Sequence, residues 1–291
     1  MRPWIDTHLH LLYPQRLDYD WTKSLPVLDR AHVLEEYAGL AQPSGIRLAL
    51  HMEADVRAQQ MEAETDLIGQ LARQPDSLIA GAISSCRPEH DEIGGFLERA
   101  LSNPLIHGFR RVLHVVPDEL STSATFRRNV RALTGQGHPF DLCVLPGQFH
   151  LADALAKACP ESQMVLDHCG VPAVASQALD PWKEGIARLA ANPNMACKIS
   201  GLIAYGDASR WPDGDVASVV RDVRPYFEHV VDRFGWGRLV WGSDYPVCNL
   251  TRDLPTWKAV TDQLVAGCSD SEIDALAYGN ARRIYRLTDT C

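Results

Sequence analysis

Asp6-Thr7-His8-Leu9-His10 places two imidazoles two residues apart, directly after the short apolar opening Trp4-Ile5. In a strand, residues i and i+2 share a face, so His8 and His10 stand side by side. Paired imidazoles suit a divalent metal or a carbonyl that must be polarised. At the far end, the apolar run Leu239-Val240-Trp241 passes through Gly242-Ser243 to Asp244, just before Pro246. That carboxylate completes an acid–base or metal-binding set if the first and last strands meet. They meet when the chain closes into a barrel.

The elements that would do this are legible. Apolar segments with strand character fall at 4–10, 46–53, 78–84, 106–112, 140–145, 164–168, 196–201 and 239–244. Helical spacing occupies 58–73, 93–101, 125–133, 151–159, 182–191 and 216–234, each followed by glycine or proline as helix stops require. A final segment, 272–287, would cover the barrel after the eighth strand. This alternation predicts an α/β fold, a (β/α)8 barrel, as one domain over residues 1–291. A doubly wound open sheet is the alternative. No Gly-x-Gly-x-x-Gly follows the first strand, which argues against a dinucleotide site.

Active sites of such barrels lie at the C-terminal strand ends. Reading those ends in order gives Asp6, His8 and His10; His51 and Glu53; Ser84 and Ser85; Arg110 and Arg111; Asp141 and Cys143; Asp167 and His168; Lys198 and Ser200; and Ser243 and Asp244. Helix-covered parallel strands are otherwise nearly continuous apolar runs, so these polar ends point to a site. Asp244, His168, His8 and His10 are the expected catalytic groups. Arg110, Lys198, Glu53, Asp141 and Trp21 are the expected substrate contacts. Only one of Arg110 and Arg111 can face inward, and Arg110 is chosen. Asp6 is expected to share the histidines' face, deeper in the barrel, in a supporting role. Tyr19-Asp20-Trp21 forms either a flap over the barrel mouth or a packed surface loop.

Net charge is -9. That argues against nucleic acid or an anionic membrane as the main partner. No apolar run approaches the roughly 20 residues of a membrane span. Met1-Arg2-Pro3-Trp4 has no secretory pattern. Eight cysteines without a Cys-x-x-Cys pair read as reduced, mostly buried thiols of a cytoplasmic protein. Oligomeric state is not encoded legibly.

Taken together, the motifs resemble the amidohydrolase superfamily. The resemblance starts from Asp-Thr-His-Leu-His and Gly-Ser-Asp-Tyr-Pro. The middle motifs are similar to its sugar-lactonase branch, which includes L-fuconolactonase, L-rhamnonolactonase and pyrone-dicarboxylate lactonase types. They are His107-Gly108-Phe109-Arg110-Arg111, Phe140-Asp141-Leu142, Val165-Leu166-Asp167-His168-Cys169-Gly170-Val171-Pro172, Lys198-Ile199-Ser200-Gly201-Leu202 and Trp241 to Cys248. The resemblance implies a distorted barrel that opens a lactone ring by attack of Asp-activated water. It implies a first-strand pair at His8 and His10, a sixth-strand histidine at His168 and an acid–base at Asp244. The bridging lysine and fifth-strand histidine of binuclear members are absent here. This leaves either one divalent ion, zinc, on His8, His10, His168 and Asp244, or no required metal. A decarboxylase or hydratase of an acidic substrate, and a non-catalytic binding barrel, are the alternative functions.

Overall fold

The computed structural model describes residues 2–288. Its eight strands are β1 (Trp4–Leu9), β2 (Ile46–Met52), β3 (Ile79–Ser85), β4 (Ile106–Val112), β5 (Phe140–Cys143), β6 (Met164–Leu166), β7 (Met195–Ile199) and β8 (Leu239–Trp241). They pair in parallel and in sequence order. Each expected strand is present, usually shortened at its C-terminal end, where the polar residues leave the ladder. The helices α1 (Leu34–Ala41), α2 (Met61–Ala72), α3 (Gly94–Ser102), α4 (Ala124–Thr134), α5 (Phe149–Ala158), α6 (Trp182–Ala190), α7 (Val216–Phe234) and α8 (Leu254–Leu264) surround them. This is the (β/α)8 barrel. The sequence reading lacks α1 and α8. The first is only two turns long, and the second opens with Asp253 as its N-cap and Pro255 inside its first turn.

The 272–287 segment is not one continuous helix. Asp270–Asp274 is α-helical, Ala275–Gly279 is a π-turn and Asn280–Ile284 is α-helical again. Ala281, Ile284, Tyr285 and Leu287 pack with Ile5, Leu50, Met52, Ile83, Val165, Ala196 and Val240. The C-terminal segment therefore plugs the barrel interior. The Tyr285 hydroxyl continues upward and donates to Asp141 Oδ1 at 2.7 Å.

Closure between β8 and β1 is thin. One parallel bridge joins Leu9 to Tyr245. His10 N–H donates to the Tyr245 carbonyl at 2.7 Å, and Asp244 N–H donates to the His8 carbonyl at 2.9 Å. Asp6 reinforces this seam. Its Oδ1 accepts from Ser243 N–H at 2.8 Å and from His8 N–H at 3.0 Å, while Oδ2 accepts from the Tyr37 hydroxyl of α1 at 2.8 Å. Its supporting role stands, but its direction differs from expectation. It does not share the histidines' face: the carboxylate lies in the β1–β8 seam, within reach of helix α1 outside the barrel. The cause is a register irregularity in β1 between Asp6 and Leu9.

Among the described residues, no helix is long and apolar enough to cross a membrane. Six of the seven described cysteines are buried and all seven are unpaired. Cys291 lies outside the described residues.

Replacing Asp6 by alanine would leave two buried N–H groups without acceptors. Urea unfolding should show a loss of about 2–4 kcal/mol. An unchanged midpoint would show that the seam does not depend on this carboxylate.

Candidate active site

Strand alternation carries charge into the barrel in layers. Asp141 pairs in register with Arg110 on one side and with Val165 on the other, and Lys198 pairs with Val240. These side chains point to the interior. Lys198 is wholly buried, with Nζ 2.8 Å from Asp141 Oδ1, 3.1 Å from Asp167 Oδ1 and 3.3 Å from His8 Nδ1. Arg110 Nε donates to Glu53 Oε1 at 2.6 Å, and Nη2 donates to the Glu53 carbonyl at 2.6 Å. Its Nη1 lies 3.5 Å from Asp167 Oδ2 and 3.4 Å from His8 Nε2. Arg111 turns the other way and pairs with Glu89 at 2.7 Å. The choice of Arg110 as the inward arginine is thus the observed one.

Two tight turns at the strand ends add side chains to the same space, and the first of them breaks alternation. His168 has φ +54, so Asp167 and His168 both reach the site, although consecutive strand residues would point oppositely. Asp244 has φ +58 just past β8. Left-handed conformations cost a non-glycine residue about 1 kcal/mol or more and concentrate at functional sites. Glycines make room for the histidines. A Cβ on Gly242 would meet His8 Cβ at 2.6 Å, and one on Gly201 would meet His168 Cβ at 2.8 Å.

His8 Nε2 and His10 Nε2 face each other at 3.2 Å. Asp244 Oδ1 lies 3.8 Å from the first and 3.9 Å from the second. Asp244 Oδ2 lies 3.8 Å from His168 Nδ1 and has no hydrogen-bond partner among the described residues. His168 Nδ1 is 2.9 Å from Ser200 Oγ. The four expected groups therefore converge, but not as one ligand set. His8, His10 and Asp244 form one compact trio, and His168 joins His8 and Asp167 in another.

The protonation states follow from burial. His8 and His10 are held well below the usual imidazole range, chiefly by burial, then by neighbouring cations and histidines. His168 is brought down to about 3, again by burial first, with Arg110 and Lys198 adding to it. Asp244 is raised well above the ordinary carboxylate range by burial. Burial also lifts Asp141 to about 6, against the pull of Lys198. Burial alone would raise Asp167, but Lys198, His8 and Arg110 outweigh it and hold the acid well below its usual range.

These features fit a divalent metal. His10 Nδ1 lies 2.9 Å from the Met52 carbonyl, which can only accept, so its proton sits on Nδ1 and Nε2 is bare. His8 Nδ1 lies between the Lys198 ammonium at 3.3 Å and Asp167 Oδ1 at 3.5 Å, and its Nε2 faces the bare Nε2 of His10. These two nitrogens, 3.2 Å apart, could share one cation in place of any proton between them. Tetrahedral zinc with ~2.0–2.1 Å bonds places two nitrogen ligands about 3.3 Å apart. The charge balance agrees. The cations Lys198 and Arg110 stand among four buried carboxylates, Glu53, Asp141, Asp167 and Asp244, so two negative charges are in excess.

Above the trio opens a cleft of about 140 Å³, lined by His10, Trp21, Asp55, Arg110, His114, His168, Tyr205 and Asp244 among others. Trp21 belongs to this wall, its indole N–H fixed to the Ala54 carbonyl at 2.8 Å. Lys198, Asp141 and Glu53, expected to meet substrate, do not line the cleft. They are at most 1% exposed and lie beneath it, paired with Asp167, Tyr285 and Arg110. Three polar wall residues escape the sequence reading. His114 lies two residues past β4, and its Nδ1 is 3.5 Å from Cys143 Sγ. Asp55 lies just past β2. Extending the strand-end rule by two residues would have found both. Tyr205 comes from the loop after β7, and no local pattern marks it.

A family model described as amidohydrolase matches residues 5–287. The chain belongs to the amidohydrolase family. An L-fucono-1,5-lactonase of Burkholderia multivorans is 29% identical over 98% of this chain and 96% of its own length. A second L-fucono-1,5-lactonase, from Burkholderia ambifaria, is 31% identical over 64% of this chain and 63% of its own length. A crystal structure of a Burkholderia multivorans amidohydrolase with bound zinc superposes with a TM-score of 0.86 at 26% identity, covering 99% of this chain and all of that one.

One carboxyl of this amidohydrolase holds the cleft wall from behind. Glu64 Oε1 accepts from Ala54 N–H at 2.9 Å, and burial beside Glu53 pushes Glu64 up to about 8. Its unfolded-state pKa is lower, so stability is full below about pH 4.5 and is lost as pH rises towards 8. Glu64→Gln keeps the acceptor and removes the titration. Its melting temperature should gain on wild type between pH 5 and pH 9. A constant difference across that range would refute the assignment.

Proposed function

We propose that this amidohydrolase is a lactonase acting on a sugar lactone, with Asp244 as its proton-transfer group. The observation that carries the reading is the buried Asp244 carboxylate. One oxygen is turned to His8 and His10, and the other is unpartnered beside a cleft. Similarity to L-fucono-1,5-lactonases, one of them along nearly the full chain, supports lactone opening as the reaction.

The chemistry proceeds through this chain's own groups. Asp244 Oδ2 accepts a proton from water as the oxygen attacks the lactone carbonyl. The same carboxyl then delivers that proton to the departing ring alkoxide. A carboxyl raised by burial suits both steps, because it gains and returns a proton at little cost. Arg110, fixed against Glu53 and Asp167, contributes positive potential beside the developing oxyanion. Lys198 acts at one remove, holding His8 in place from below.

His8, His10 and Asp244 would hold one zinc ion, with His168 beside it. The ion, when bound, supplies a Lewis acid for the carbonyl and acidifies water. The zinc-bound crystal structure of the Burkholderia multivorans relative supports zinc over other divalent ions. We place the enzyme in the cytoplasm, a reading supported by its unpaired thiols.

Asp244→Asn should lower turnover of an aldonolactone by at least ~100-fold, read as acid release with a pH indicator. Its melting temperature should stay near that of wild type. Near-normal turnover would remove Asp244 from the mechanism. His10→Ala should weaken zinc retention by ~10-fold or more, measured as metal per chain after dialysis against a weak chelator. Equal retention by variant and wild type would refute the ligand set.

A further inference from the structure

The turn after β2 has its polar backbone groups captured by side chains. Ala54 N–H donates to Glu64 Oε1 at 2.9 Å, and Asp55 N–H donates to Glu53 Oε2 at 2.9 Å. The Ala54 carbonyl accepts from the Trp21 indole at 2.8 Å. These bonds fix Asp55 at φ +47, a left-handed conformation that a non-glycine residue keeps only when its surroundings impose it.

The result is a carboxylate on the cleft wall with little else to bind. Among the described residues its ionic neighbour is Arg87 at 3.8 Å, too long for a hydrogen bond. The rest of the wall is poor in positive charge. Arg110 is its one lysine or arginine among the described lining residues, and its guanidinium is already committed to Glu53. An anionic group beside Asp55 would meet that carboxylate, while Arg110, the wall's one lysine or arginine, is held by Glu53 and Asp167. A hydroxyl would meet a free, strong acceptor.

We infer that Asp55 sets the substrate class of the site: it accepts hydrogen bonds from the hydroxyls of a neutral polyhydroxylated lactone and rejects lactones that carry a carboxylate. This inference rests on the lactonase reading and adds a specificity residue to it.

The test uses hydrolysis-resistant lactams, so that binding is read apart from turnover. The probes are a neutral aldonolactam and its counterpart with the terminal hydroxymethyl oxidised to carboxylate, titrated calorimetrically into the full-length enzyme. Wild type should bind the neutral lactam ~10-fold tighter or more, since a hydrogen bond to a charged group has about that effect. Asp55→Asn should weaken the neutral lactam about as much and narrow the gap between the two. Asp55→Gly, which suits the left-handed backbone, should do the same. For the neutral lactone, KM should rise in both variants while kcat changes little. Wild-type preference for the carboxylated lactam, or an unchanged ratio in both variants, would overturn the inference. So would an effect of Asp55→Asn that Asp55→Gly lacks, because the turn and not the carboxylate would then be responsible. Intact lactam discrimination with no lactone turned over would support the role of Asp55 and sink the hydrolysis reading instead.

Discussion

The site depends on a lysine buried where it meets no water. Lys198 is wholly enclosed, and a charge so placed is tolerated only when it is paired. Asp141 and Asp167 supply the pairing, and His8 sits directly above. Ion pairs of this kind add little net stability, because desolvation offsets most of the attraction. Their effect is positional: Lys198 Nζ and Asp167 Oδ1 both approach Nδ1 of His8, which fixes the direction of Nε2. The column continues downward through Asp141 to the Tyr285 hydroxyl. The C-terminal plug and the charged layer beneath the cleft are thus linked by one run of polar contacts through an otherwise apolar barrel.

The same network makes the site electron-rich. Four carboxylates stand beside two cations there, and burial, before any neighbouring charge, raises Asp244 and Asp141. A divalent ion would favour the ionised carboxylates and could be shared by the His8 and His10 nitrogens. Metal fit and acid–base character are therefore one electrostatic condition. Arg110 does not cancel the excess, because Glu53 already occupies its guanidinium.

The cleft wall is built from a different layer. Trp21, Asp55, His114 and Tyr205 come from loops, whereas the groups beneath them come from strands or strand ends. The rigid floor suits chemistry common to many substrates, and the loop wall suits selection among them. The Ala54–Asp55 turn is the exception, a loop held almost as firmly as a strand.

Much of this was legible in the sequence, for a physical reason. Strand periodicity and polar strand ends are local, so eight apolar segments, most of them closed by a polar residue, identify the barrel and most of the side chains gathered at its mouth. The face shared by His8 and His10 follows from a period of two. The choice between two arginines follows from alternation. Tertiary structure alone decided the depth of each group. Lys198, Asp141 and Glu53 read as substrate contacts because they are polar and near strand ends, but their pairing with one another and with Arg110 takes them below the cleft. Asp6 read as facing inward because the sequence does not show the register irregularity that turns it into the seam. His168 joins a face that simple alternation would deny it, because the chain takes a left-handed turn there. Sequence determined which chemistry is present and at which end of the barrel. Only closure of the barrel decided which charges neutralise each other and which, above all Asp244 and Asp55, remain free to act.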